Sequence, residues 1–224
     1  MIIGKIVLIL VISYIFGSIP FGVLISRKFA GVDVRKFGSG KIGTTNVLRT
    51  VGKKAALFVG VLDILKGALP VIITGVIFKN TPVIVANIDF GVVVLQALAA
   101  MAAITGHSFS IFLKFQGGRG VATFFGGLIA LCPIAAIIGA EMLILSIGLT
   151  RYVSLGSIIG AVGTYAILIP LSLFNGFPLV VLIYSLIGAI FIMVMHRDNI
   201  SRLLKGTERR LGEKADKQNT VPNN

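Results

Sequence analysis

Apolar residues run almost without interruption along this chain, so the places where they stop carry most of the information. The runs cover residues 4–26, 54–78, 88–105, 121–150, 153–173 and 179–195. A helix needs about 20 apolar residues to cross a bilayer, and most of these runs fit that length. The 121–150 run is too long for one crossing. Pro133 divides it, because the residue before a proline is pushed away from helix. Asn175-Gly176-Phe177-Pro178 reads as a turn between the last two runs. The pattern predicts an all-α integral membrane protein with seven transmembrane helices, several of them short. Residues 1–211 form one polytopic membrane domain, and the polar composition of 212–224 predicts a disordered tail.

Composition agrees. The 224 residues are 56% hydrophobic and only 13% charged, with a mean hydropathy of +1.00, outside the soluble range. The single cysteine, Cys132, excludes an internal disulfide and a cysteine metal site. Residues 2 onward are apolar behind a thin basic flank at Lys5 and show no small-residue cleavage site, which predicts a first span and not a signal peptide.

A net charge of +13 suggests nucleic acid only until the charges are placed. With the N-terminus outside and seven crossings, 18 of the 21 Lys and Arg residues fall in inner loops or the C-terminal segment. That asymmetry is the positive-inside pattern. It predicts a cytoplasmic C-terminus and no nucleic-acid partner.

Three polar segments, the first two rich in glycine and all three carrying basic residues, then share the cytoplasmic face: 38–49, 106–120 and 196–202. Gly38-Ser39-Gly40-Lys41-Ile42-Gly43 has G-x-G-x-x-G spacing, but no βαβ unit fits between two spans. It also has the outer spacing of a Walker A loop, with Thr44 where lysine is required. What remains is anion chemistry: backbone N–H groups at the glycines, short donors from Ser39, Thr44 and Thr45, and the guanidinium fork of Arg49. Gly117-Gly118-Arg119-Gly120 enters an apolar helix and reads either as an anion site on a helix N-terminus or as a tight packing turn. His196, Asn199 and Arg202 share one face if their helix continues.

Asp63 and Lys66 lie inside the second span at i,i+3, where a charge costs about 2.5–3.5 kcal/mol, so an ion pair facing the bundle interior is expected. Glu141 has no partner in its own helix. Two histidines and no carboxylate cluster argue against a metal centre. Position +5 from His107 is Phe112 and from His196 is Ser201, so no H-x-x-x-x-D acyltransferase motif is present.

At these residues the chain resembles the bacterial acyl-phosphate-dependent glycerol-3-phosphate acyltransferases. The resemblance runs from Gly17-Ser18-Ile19-Pro20-Phe21-Gly22 through Gly43-Thr44-Thr45-Asn46-Val47, Leu62-Asp63-Ile64-Leu65-Lys66-Gly67, Gly106-His107 and Gly117-Gly118-Arg119-Gly120-Val121-Ala122-Thr123. It continues through Tyr152-Val153-Ser154-Leu155 to His196-Arg197 and Gly206-Thr207-Glu208. It implies a seven-span enzyme of the bacterial plasma membrane whose active site faces the cytoplasm. Such an enzyme moves a fatty acyl group from acyl phosphate to the 1-hydroxyl of sn-glycerol 3-phosphate, giving lysophosphatidic acid for phospholipid synthesis, without a cofactor. The soluble enzyme that makes acyl phosphate is a candidate partner, beside membrane lipid. The resemblance implies catalytic roles for Ser39, Arg49, His196 and Asn199. Candidate substrate and phosphate contacts are Gly40, Thr45, Asn46, Lys66, His107, Gly117, Gly118, Arg119, Gly120, Thr123 and Arg202, with Asp63 and Glu208 structural. The chain departs from the family's usual lysines at Gln116 and Arg119, and from its usual proline at Ser110. The rival reading is a transporter of a phosphorylated anion, which would want inverted repeats and broken helices at mid-membrane. No repeat relates the two halves.

Overall fold

The computed structural model describes residues 2–85, 88–89 and 91–215. Among the described residues ten α-helices carry the fold: α1 Ile2–Ser18, α2 Phe21–Ala30, α3 Thr44–Thr50, α4 Lys53–Phe78, α5 Gly91–Ser108, α6 Val121–Leu131, α7 Pro133–Thr150, α8 Val153–Asn175, α9 Leu179–Met195 and α10 Arg197–Leu204. The exception to the all-α expectation is a two-rung hairpin, Ile84–Val85 antiparallel to Ile88–Asp89, in the α4–α5 connection.

Among the described residues five helical segments are long and apolar enough to cross a membrane, and α9 with α10, bent by 63°, makes a sixth if the pair is one span. The 121–150 run divides at Cys132-Pro133 as expected, and its first half is short. α6 has 11 residues, a rise of about 16 Å, roughly half the hydrocarbon thickness. Cys132-Pro133 ends it, with Pro133 taking the first position of α7, where its missing N–H costs nothing. The expected third span shifts, because α5 starts at Gly91 and continues through His107 to Ser108.

The first span is interrupted where Pro20 cannot donate and Ile19 is pushed out of helix. The carbonyls freed at that break are reused. Ser110 Oγ donates to Ser18 O at 2.6 Å and Lys66 Nζ donates to Ile19 O at 2.9 Å. In a bilayer such groups must be satisfied within the protein, so the break fixes α4 and the segment after α5 against α1.

α1 packs on α5, α4 on α5 and α6, and α7 on α8. Small residues set these approaches, as expected where lipid offers no drive to bring helices together. A Cβ on Gly67 would overlap Thr123 O, and one on Gly126 would overlap Ile64 O. The α4–α6 crossing is therefore backbone on backbone. The main core, including Ile104, Phe124, Leu128, Leu168 and Ile192, lies between α5, α6, α8 and α9. The polar ends of α3 to α6, α8 and α10 gather around a cavity at one end of the bundle.

Candidate active site

Local chemistry shapes the loop before α3. Asp33 caps a 3₁₀ turn at Val34–Lys36 through the Arg35 N–H, and Arg35 and Arg27 pair with its carboxylate at 2.6 and 3.1 Å. The Arg35 hydrogen bond, acting against burial, holds the Asp33 pKa well below the usual carboxylate range. Asn46 then ties the loop into a knot. Its Nδ2 donates to Val34 O, Phe37 O and Lys41 O at 3.0, 3.0 and 2.8 Å, and its Oδ1 accepts from Ser39 N at 3.3 Å. The result holds Ser39, Thr45 and Arg49 on the wall of a cavity of about 450 Å³.

The second segment enters differently. Gly117 N donates to Ser108 O and Gly118 N to His107 O, both at 3.0 Å. These two amides cap the end of α5, and a Cβ on Gly118 would collide with the His107 ring. The packing-turn reading describes both residues. Gly120, at φ 82°, turns the chain into α6 with no side-chain cap. Gly120, Val121 and Ala122 line the cavity, so the orphan N–H groups of the first turn and its positive dipole end lie at that wall. Arg119 reaches the same wall with its Nε unpartnered. Burial, and next the Arg202 charge, lower its pKa to about 10, leaving it cationic at neutral pH.

His196 occupies the break between α9 and α10. Its Nδ1 lies 2.8 Å from Ile192 O. A carbonyl only accepts, so Nδ1 carries the proton in the neutral ring and Nε2 is the acceptor. Burial, and next Arg119, lower its pKa to about 4. Asn199 donates to Glu208 Oε1 at 2.6 Å, which leaves its buried Oδ1 without a partner.

Glu208 organises the C-terminal segment. It accepts from Ser154 Oγ at 2.8 Å, from Asn199, and from Arg202 Nε at 2.7 Å. Burial alone would raise its pKa, but these donors outweigh burial and lower it. Beyond it the chain is strapped down: Arg49 Nη2 donates to Arg209 O and Arg210 O at 3.1 and 3.2 Å, and Arg151 Nη2 donates to Leu211 O at 3.0 Å. Ala215 N in turn donates to Arg49 O at 3.3 Å. Of the 212–224 segment, residues 216–224 lie outside the described residues.

The other end of the cavity is apolar. Phe125 and Ile129 of α6 face Ala136, Ile137, Ala140, Leu143 and Ile144 of α7. One space therefore joins a cationic, donor-rich mouth to a hydrocarbon-compatible groove.

A family model described as glycerol-3-phosphate acyltransferase matches residues 7–206. The chain belongs to the glycerol-3-phosphate acyltransferase family. Glycerol-3-phosphate acyltransferase 3 of Dehalococcoides mccartyi is 54% identical over 96% of this chain and 100% of the relative. The Thermus thermophilus glycerol-3-phosphate acyltransferase is 44% identical over 92% and 96% of the two chains. Among solved structures, the chain is similar to the integral membrane glycerol 3-phosphate acyltransferase PlsY in its glycerol 3-phosphate form. The TM-score is 0.80 at 35% identity, covering 93% of this chain and 96% of that one. The lysophosphatidic acid form of PlsY matches with a TM-score of 0.79.

Within this acyltransferase framework the cavity brings together Ser39, Thr45, Asn46, Arg49, Asp63, His107, Arg119, Gly120, His196, Asn199 and Glu208. Six residues expected to touch substrate do not line it: Gly40, Lys66, Gly117, Gly118, Thr123 and Arg202. Lys66 is wholly buried, 2.8 Å from Asp63 Oδ1, on Ile19 O and over the Phe21 ring. Its contacts are all within the bundle. Thr123 is buried with its carbonyl against Gly67 at the α4–α6 crossing. Arg202 is occupied by Glu208. Asn46 is on the wall, but its amide is committed to its own loop. Sequence reasoning missed the apolar groove. Its signal was the alanine pair Ala136 and Ala140 among bulky residues on α7, at the helical spacing of one face.

Proposed function

We propose that this chain transfers a fatty acyl group from acyl phosphate to the 1-hydroxyl of sn-glycerol 3-phosphate, releasing phosphate and lysophosphatidic acid. One observation carries the proposal: a cationic mouth continuous with an apolar groove along α6 and α7. Both substrates are phosphorylated anions and one has a lipid tail, so a site of this shape suits the pair. The excess of Lys and Arg in the loops at the mouth end supports a cytoplasmic site in the bacterial plasma membrane, with seven crossings and the N-terminus outside. A soluble producer of acyl phosphate would meet the enzyme at that face.

In this mechanism the acyl chain lies in the groove and its phosphate sits at the mouth. Arg119, Gly120 and the first amides of α6 hold phosphate oxygens, as a helix N-terminus does. Ser39, Thr45 and Arg49 line the opposite wall and complete the cradle. The hydroxyl oxygen attacks the acyl carbonyl carbon, and the bond from that carbon to the bridging oxygen breaks with its electron pair leaving on phosphate. The hydroxyl proton passes to a phosphate oxygen. Acyl phosphate is a mixed anhydride with a good leaving group, so no strong side-chain acid is required. Neutral His196 accepts from the attacking hydroxyl and orients it, while the free Asn199 Oδ1 fixes a neighbouring hydroxyl. Positioning and charge stabilisation supply the rate.

The test is the purified chain in lipid, supplied with acyl phosphate and glycerol 3-phosphate and followed by phosphate release. Turnover with acyl-CoA and none with acyl phosphate would overturn the donor assignment.

A further inference from the structure

α7 is the least buried of the five long spans, with 22% of its length buried against 33–50% for the others. Its inward face holds Ala135, Ala136, Gly139 and Ser146, with Gly139 close against α8. Its outward face is centred on Glu141, the ninth of 18 residues, and therefore at mid-membrane. Glu141 is exposed on the surface of the bundle, and it forms no hydrogen bond or ion pair among the described residues. An ionisable side chain in that position costs several kcal/mol on an isolated helix, so its expected place is against a partner.

The residues around it form a seam. Ile134, Glu141 and Gly148 repeat at seven, so they lie along one line of the helix. Ile134 on that line and Leu145 beside it are exposed, and a Cβ on Gly148 would meet nothing within 4 Å. A small residue facing outward lets a second helix backbone approach closely, as small residues do in membrane helix pairs.

We propose that α7 is a homodimer interface, in which Glu141 of two copies of this chain hydrogen-bond to each other across a two-fold axis along the membrane normal. Two arguments select a second copy as the occupant. Every copy has the same orientation in the bilayer, so that axis brings Glu141 opposite Glu141 at equal depth without further adjustment. A carboxyl in its neutral form carries one donor and an acceptor, so two such groups satisfy each other with nothing else present. Gly148 then sits where the two backbones come closest, one heptad from the carboxyl pair. The catalytic cavity is not required for this association, because neither Glu141 nor Gly148 lines it.

The experiment reconstitutes the full chain into vesicles at graded protein-to-lipid ratios and reads association by single-molecule photobleaching or energy transfer. Wild type and Glu141→Gln, whose amide also donates and accepts, are expected to dimerise. Glu141→Leu and Gly148→Ile should need at least tenfold more protein per lipid to reach half association, with acyltransferase activity retained as the control for folding. Glu141→Leu removes a polar group from hydrocarbon, so lost association in that variant is not lost folding. A cysteine replacing Leu145, beside the seam, should cross-link to its counterpart in the membrane. A wild-type chain that stays monomeric at every ratio overturns the proposal, as does a Glu141→Leu chain that associates like wild type. So does a dimer whose position-145 cysteines do not cross-link.

Discussion

Asp63 and Glu208 are both buried carboxylates beside the cavity, and they are satisfied in opposite ways. Asp63 lies inside a membrane helix, with Lys66 one turn away at 2.8 Å and the His107 ring nitrogen of α5 at 3.7 Å. Glu208 lies beyond the last helix and collects donors from α8 and α10 across the end of the bundle. Lys66 also holds the carbonyl freed at Pro20, so the first carboxylate is part of a weld between α4 and the break in the first span. The second is a tie that keeps the C-terminal segment at the cavity mouth. Removing a charge from the weld strands its partner in hydrocarbon. Removing one from the tie releases a segment that has water beside it.

The largest expected effect follows from the weld. Lys66→Met leaves Asp63 buried and uncompensated, a loss of about 3–5 kcal/mol for buried pairs of this kind. Thermal unfolding in detergent should show a large drop for that variant. The double change Asp63→Leu with Lys66→Met should recover more than half of it, because an apolar pair leaves no charge stranded. A double variant as unstable as the single one would break the comparison, since Lys66 would then matter through Ile19 and Phe21 and not through Asp63.

The Asp63–Lys66 pair was legible in sequence because i,i+3 spacing inside an apolar run leaves few alternatives, whereas its attachment to the Ile19 carbonyl was not. The all-α membrane fold was legible for the same reason, since a bilayer permits only closed backbone hydrogen bonding. Convergence of the three polar segments followed from the charge distribution, although which residues face the cavity did not. Gly117 and Gly118 look like phosphate donors until their amides are found on Ser108 O and His107 O. Asn46 looks like a substrate contact until three carbonyls 5 to 12 residues earlier in the chain claim its amide. Glycine and asparagine supply the same groups to a ligand or to a turn, and only three-dimensional neighbours decide between them. The shortness of α6 was legible too, because Pro133 cuts the apolar run that begins at Val121, and the helix spans Val121–Leu131.

Two arginines sharpen the contrast at the mouth. Arg119 has an unpartnered Nε on the cavity wall, whereas Arg202 is committed to Glu208. A charge-assisted hydrogen bond to phosphate is worth about 1.5–3 kcal/mol. Arg119→Ala should therefore lower kcat/KM for glycerol 3-phosphate by about 10- to 100-fold with little change in unfolding temperature. Arg202→Ala should do the reverse, lowering stability more than it changes kcat/KM. Equal losses in both readouts for the two variants would erase the distinction between a binding arginine and a tying one.

Glu208→Gln is the smaller structural test. It keeps the shape but replaces one acceptor oxygen with a donor facing Asn199 or Arg202, for an expected cost of about 1–3 kcal/mol. Proteolysis should then nick the 209–215 segment sooner, while the bundle stays intact. The pH dependence has a fixed sign. Folding lowers the Glu208 pKa, so its stabilisation is present above the unfolded carboxylate value and disappears as pH falls through the lower folded value. In Glu208→Gln that acid-side loss should be absent.

The smallest expected effect is the most telling for the chemistry. The His196 pKa is lowered to about 4 by burial and by Arg119, so in the free enzyme the ring stays neutral from pH 5 to 8. Its neutral form is lost only as pH falls through about 4. The profile of kcat/KM against pH, which reports free enzyme and free substrate, should then show no limb belonging to His196 across that range. Any limb there should come from substrate phosphate and persist in His196→Ala at a lower overall rate. Two bound phosphates bring negative charge toward the ring and favour imidazolium, so the profile of kcat, which reports the complex, should carry its acid limb at a higher pH than kcat/KM does. A limb near pH 6.5 in kcat/KM that vanishes in His196→Ala would assign proton removal to the imidazole, in place of the substrate's own phosphate.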